Sequence, residues 1–154
     1  MPIYTCGDTP EINGLDGKRI TMKSILYTDD MDDLGKTLIC KIQKELSGIE
    51  IVTLNSRKSL VQKMSQPLNR VSVIIILVSS CEKLERLYSM VSLFENSRII
   101  LVLPDREKKT LTTGIRFNPS FFTYPDNKFE DICEVLKKIK VNIQREDKNT
   151  EQDK

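Results

Sequence analysis

Two adjacent carboxylates, Asp29 and Asp30, follow the apolar stretch Ile25 to Thr28, and Asp32 and Asp33 stand just beyond them. Oxygen ligands this close suit weak magnesium binding through carboxylates and waters. The same residues also suit a turn and a helix N-cap, where the helix dipole favours acidic side chains. A second group is Ser79, Ser80 and Cys81. At a helix N-terminus, free amides and the dipole attract an anion and lower a thiol pKa, which makes Cys81 the candidate reactive thiol. Read as a capping box instead, Ser79 accepts from the helix and Glu82 reaches back. Tyr124, at a strand end beside Pro125, reads either as a ring gating a ligand or as half-buried packing with a wet hydroxyl.

The residues that are missing narrow the chemistry further. The chain has no histidine, which excludes Ser-His-Asp and Cys-His mechanisms and every histidine general base. Carboxylate, lysine, tyrosine or metal-borne chemistry remains. Cys6, Cys40, Cys81 and Cys133 are too widely spaced for a zinc set and are expected as reduced thiols, Cys40 and Cys133 as small core residues. Twenty-four basic residues against 22 acidic ones leave a net charge of +2 without a basic stripe, so nucleic acid is not indicated. The longest apolar run, Val73 to Val78, is too short to cross a bilayer, and the first 18 residues lack a basic start with an apolar core. These features lead us to expect a cytoplasmic protein that is not bound to a membrane and requires no cofactor.

Elements of a regular kind must position these groups. At 154 residues and 39% hydrophobic, the chain has the size of one domain. The segment beginning at Ile25 is a strand, and Leu34, Leu38, Ile39, Ile42 and Leu46 recur at helical spacing until Gly48 supplies a stop. The stretch IEIVTLNS is a second strand, followed by a helix through Leu60, Val61 and Met64 that Pro67 ends. VSVIIILVSS is apolar on consecutive positions, as a strand buried on both faces must be, and RIILVLPD repeats that pattern. Between them a helix carries Leu84, Leu87, Tyr88, Val91 and Phe94. Arg106 to Asn118 is less regular and holds one short helix, with Arg106 to Lys109 as a solvated helix face. SFFTYPD is a fifth strand before a last helix through Phe129, Ile132, Cys133, Leu136 and Ile139. Alternation of this kind predicts an α/β fold: an open, doubly wound, five-stranded parallel sheet with helices on both faces, in a flavodoxin-like three-layer sandwich. Residues 1–22 are expected to form an N-terminal extension able to add an edge strand around Ile3 to Cys6. Residues 141–154 are expected to form a polar tail without structure.

The stretch KSILYTDDMDD resembles the first strand and acidic pair of the receiver domains of bacterial two-component response regulators. TTGIRF resembles that family's glycine-bearing turn, and FFTYPDNKFEDICEVLKKI its closing strand, Lys-Pro and final helix. The resemblance spans about residues 23 to 140. It implies the receiver fold, a metal at Asp29 and Asp30, a cis peptide before Pro125, and Tyr124 beside the acidic pair. Three positions depart from the family's chemistry. Val78, Ser79 and Ser80 stand where the phosphoacceptor aspartate belongs, Leu103 or Pro104 where a small hydroxyl residue belongs, and Tyr124 where the lysine belongs. Acyl-phosphate chemistry needs a carboxylate nucleophile beside a divalent cation, and a positive group for the transferring phosphoryl. Ser79, Leu103, Tyr124 and Pro125 are accordingly vestigial switch positions, and no residue is assigned as catalytic. The expected function is a non-catalytic pseudo-receiver, which binds another signalling protein, or a second copy of itself, through Lys108 to Lys140. The competing reading is a small flavodoxin-like or nucleotide-binding enzyme using the cleft at the strand ends. The lack of a Gly-rich phosphate loop counts against it.

Overall fold

The computed structural model describes residues 22–28, 33–46, 48–65, 71–125 and 129–152, with 144–152 described as backbone alone. Five strands, β1 (Met22–Thr28), β2 (Ile49–Leu54), β3 (Val73–Leu77), β4 (Arg98–Val102) and β5 (Phe121–Thr123), alternate with five helices. The helices are α1 (Asp33–Glu45), α2 (Arg57–Met64), α3 (Cys81–Tyr88), α4 (Lys108–Ile115) and α5 (Glu130–Gln152), and a 3-10 turn at Val91–Phe94 follows α3. All strand pairs are parallel and the sheet order is β2-β1-β3-β4-β5. This is the flavodoxin-like α/β architecture expected from the alternation of elements.

The unbroken apolar run of β3 makes it the centre of the sheet. Ile75 pairs with Leu26 on one side and Ile100 on the other, and every β3 side chain is buried. Alternation then divides the core in two. Val73, Ile75 and Leu77 face α1 and α5, where they meet Leu38, Ile39, Ile42, Ile132, Leu136 and Ile139. Ile74, Ile76 and Val78 face the other layer, with Leu60 of α2, Leu84 and Leu87 of α3, and Phe94 and Phe117. Each such aliphatic side chain contributes roughly 1.5–3 kcal/mol on burial. Both layers are therefore required.

Gly48 has a φ of 78°, the left-handed conformation that turns the chain from α1 into β2. The irregular 106–118 stretch holds one short helix, as expected, but Arg106 precedes it and is not part of its solvated face. The polar tail departs from expectation, because α5 continues as helix through Gln152. Lys, Arg, Gln and Glu there are good helix formers, so the helix extends beyond the stripe that anchors it.

Candidate functional site

Strand order reverses between β1 and β3, so a ligand cleft in this fold opens over the carboxyl ends of those strands and their neighbours. Asp29 and Asp30, at the end of β1, lie outside the described residues. Asp33 is the first residue of α1 and provides its acidic first turn. Among the described residues no three Cys, Asp or Glu side chains converge as a metal site requires.

At the end of β3, Val78 is buried in the core and Ser79 is exposed. The Lys83 ammonium donates to the Ser79 hydroxyl at 3.1 Å. The cap of α3 is Ser80, whose Oγ accepts from the Lys83 backbone N–H at 3.3 Å in an extended conformation (φ −153°, ψ 158°). This corrects the expectation of a Ser79 cap closed by Glu82. Burial of Val78 carries the extended chain one residue further, so Lys83 takes the third helical position and Glu82 is misplaced for a capping box. Cys81 then begins the helix half-buried, and its thiol donates to the Thr113 hydroxyl of α4 at 3.8 Å.

At the end of β4, Leu103 is 1% exposed and its N–H donates to the Thr123 carbonyl at 2.8 Å. Its side chain lies directly over α4. A Cβ added at Gly114 would meet Leu103 Cδ2 at 3.0 Å and Leu101 Cδ1 at 3.3 Å. Glycine at 114 therefore lets α4 settle onto the strand end against Leu103. Beyond it, Asp105 accepts from the Glu107 N–H at 3.0 Å and shapes the turn into α4.

At the end of β5 the Tyr124 ring packs with the α2–α4 layer. The Arg106 guanidinium sits 4.0 Å from its centre and Phe122 meets it edge-on at 6.5 Å. Stacking of this type is worth about 0.5–1 kcal/mol at an exposed site. The positive group at this strand end is thus Arg106, held against the tyrosine. No peptide among the described residues is cis, so the Tyr124–Pro125 bond is trans and the cis expectation is corrected. Trans is the general preference of X-Pro bonds. One residue earlier, Thr123 points to the opposite layer, where its hydroxyl donates to Asp131 in the first turn of α5.

Sequence patterns missed the Thr123–Asp131 pair, the Arg106–Tyr124 stack and the Leu103–Gly114 contact. Asp131 carries a local signal, an acid in a helix's first turn, but no spacing rule links it to a residue eight positions earlier. A concavity of about 530 Å³ lies away from the strand ends, along α1 at Lys36, Thr37, Cys40, Lys41, Lys44 and Glu45. Lys41 meets Glu45 at 3.1 Å, and Lys137 of α5 meets the same carboxylate at 3.6 Å. The hydrogen bond between them, foremost, holds Lys41 above its ordinary pKa and Glu45 below its own. These charges clasp α1 to α5.

No family model matches the chain, and no curated protein matches it in sequence. A solved structure from Burkholderia pseudomallei K96243, described as a "putative pilus assembly-related protein", superposes with a TM-score of 0.58 at 14% identity, over 80% of this chain and 92% of that one. At that identity the likeness is one of fold. No helix among the described residues is long and apolar enough to cross a membrane.

The thiols provide a direct check on this geometry. Burial, the largest influence, pushes the Cys133 thiol from its ordinary 9.0 up to about 11. Between those values the folded chain keeps a proton that the unfolded chain releases. Stability is therefore full below pH 9 and falls as pH rises through 11, by at most about 1.4 kcal/mol per unit. A Cys133→Ala variant should show a shallower alkaline slope in urea melts at pH 8 to 11. In native protein at pH 8, a thiol reagent should modify Cys81 and spare Cys133 until denaturant is added. Modification of Cys133 in the native state would contradict the packing of α5.

Proposed function

We propose that this protein is a pseudo-receiver, a non-catalytic cytoplasmic signalling module that keeps a receiver-like fold and acts by binding another protein without aspartyl phosphorylation. The observation that carries this reading is the end of β3. Val78 is buried in the core, Ser79 is bonded to Lys83, and no carboxylate stands there to accept a phosphoryl group. Two further features support it. Leu103 fills the position of the hydroxyl that would follow a phosphoryl group, and Tyr124, packed under Arg106, replaces the lysine. Asp29 and Asp30 can then hold magnesium only weakly, through waters, since the third carboxylate is missing.

The partner face is α4, β5 and α5, from Lys108 to Lys140. It carries the exposed apolar side chains Ile115 (56%) and Phe122 (39%), among lysines. A protein partner reads such a patch through its apolar centre and polar rim. That partner is another signalling protein or a second copy of this chain, and its binding needs neither magnesium nor a phosphodonor.

The test is intact-mass analysis after incubation with acetyl phosphate or phosphoramidate and magnesium. The mass should stay unchanged. A stoichiometric, stable addition of one phosphoryl group on any residue would overturn the reading.

A further inference from the structure

The two flanks of α4 have different neighbours. Lys109, Thr112 and Arg116 turn toward α3, where Lys109 meets Glu85 at 4.0 Å and the Arg116 guanidinium sits 4.3 Å from the centre of the Tyr88 ring. Helical spacing then sends Lys108, Leu111 and Ile115 to the opposite flank, above β5. Phe122 of β5 stands in register with Leu101, whose side chain faces Gly114 of α4, so Phe122 lies on the same side of the sheet, one strand further out. The exposed Ile115 and Phe122, with the half-buried Tyr124, thus form an apolar strip between α4 and β5.

The charge around this strip has one sign. From Lys108 to Pro125 the sequence holds Lys108, Lys109 and Arg116 and no aspartate or glutamate, and Arg106 lies over Tyr124 just before that stretch begins. The Tyr88 ring takes one face of the Arg116 guanidinium, whose N–H donors lie along its rim, where a carboxylate binds through two hydrogen bonds. We infer that the occupant of this strip is an acidic segment of another protein, which sets a large apolar side chain against Ile115 and Phe122 and its carboxylates against Lys108 and Arg116. The inference rests on the pseudo-receiver reading above and names the chemistry of the partner. A second copy fits worse, because a two-fold interface would set the same acid-free surface against itself, and like charges oppose that contact. The three α4 cations, one of them already beside Glu85, also fall short of the clusters of about 4–8 that hold a protein on an anionic membrane.

The experiment selects a random peptide library, displayed on phage, against the full chain without magnesium or phosphodonor. The peptides recovered should be rich in Asp and Glu around an aromatic or long aliphatic residue. The synthetic form of the strongest binder should lose about tenfold in affinity to the double variant Lys108→Glu with Arg116→Glu, and as much to Ile115→Ser, while Lys36→Glu on α1 leaves it unchanged. All four positions are exposed, so urea melts should match wild type and show that the variants fold. Failure to recover an acidic binder, or a binder indifferent to both α4 variants, would overturn the inference. So would a dimer in light scattering, or binding to phosphatidylserine vesicles, that the same variants abolish, because a second copy or a membrane would then be the occupant. The pseudo-receiver reading fails separately, through a phosphoryl adduct in the intact mass or through peptide binding that appears only with phosphodonor.

Discussion

Leu103→Ala should lower the free energy of unfolding by about 3–4 kcal/mol, within the range for emptying a fully buried leucine site. Leu103 is buried at the point where α4 touches β4, and Gly114 faces it with no side chain to relax into the gap. Gly114→Val should also destabilise, by roughly 1–3 kcal/mol, because its methyls have to enter space held by Leu103 and Leu101. Any gain in helix propensity is small at the penultimate residue of α4. The decisive result is the double variant. If the two side chains share one space, Leu103→Ala with Gly114→Val is less destabilised than the sum of the single losses, by more than about 0.5 kcal/mol. Strict additivity in urea melts would show that α4 does not rest on Leu103.

Thr123→Val is the second large effect, expected at about 2–3 kcal/mol. The substitution keeps the shape of the side chain and removes one hydroxyl, whose bond to the Asp131 carboxylate is charge-assisted. Asp131 Oδ1 is already buried without a hydrogen-bond partner among the described residues, so the variant leaves both oxygens of a partly buried carboxylate without that donor. Leaving such a group unpaired costs more than the net value of an average hydrogen bond. Adding Asp131→Ala should therefore recover part of the loss. A Thr123→Val protein within about 0.5 kcal/mol of wild type would refute the pairing of β5 with α5.

The central strands were legible because burial on both faces leaves no room for polar residues, which makes β3 and β4 continuous apolar runs. α4 was legible only as a short helix in an irregular stretch. Its buried face is Thr110, Thr113 and Gly114, small residues that give no apolar period but permit close approach to the strand. The α3 cap was misplaced by one residue because two adjacent serines have equal local propensity, and only the burial of Val78 separates them. Tyr124 could be placed at a strand end from sequence. Its contact with Arg106 depends on how two strand ends lie side by side, which no local pattern encodes. Residues 144–152 show the converse, since lack of an apolar stripe predicts no packing yet does not forbid helix.

The division of the core into two layers fixes when each can close as the chain is made. The layer with α2, α3 and α4 is complete once Phe117 has been added, since nearly all the buried side chains it uses come from residues 25 to 117. The α1 layer cannot close then. Leu38, Ile39 and Ile42 wait for Ile132, Leu136 and Ile139, which arrive last. During synthesis at about 5–20 residues per second, one face of a sheet already paired through β4 stays open for a second or more. A nascent chain stalled between residues 117 and 139 should therefore be the form most prone to capture by chaperones or to aggregation. Release of α5 from the ribosome is then the step that commits the domain to its fold.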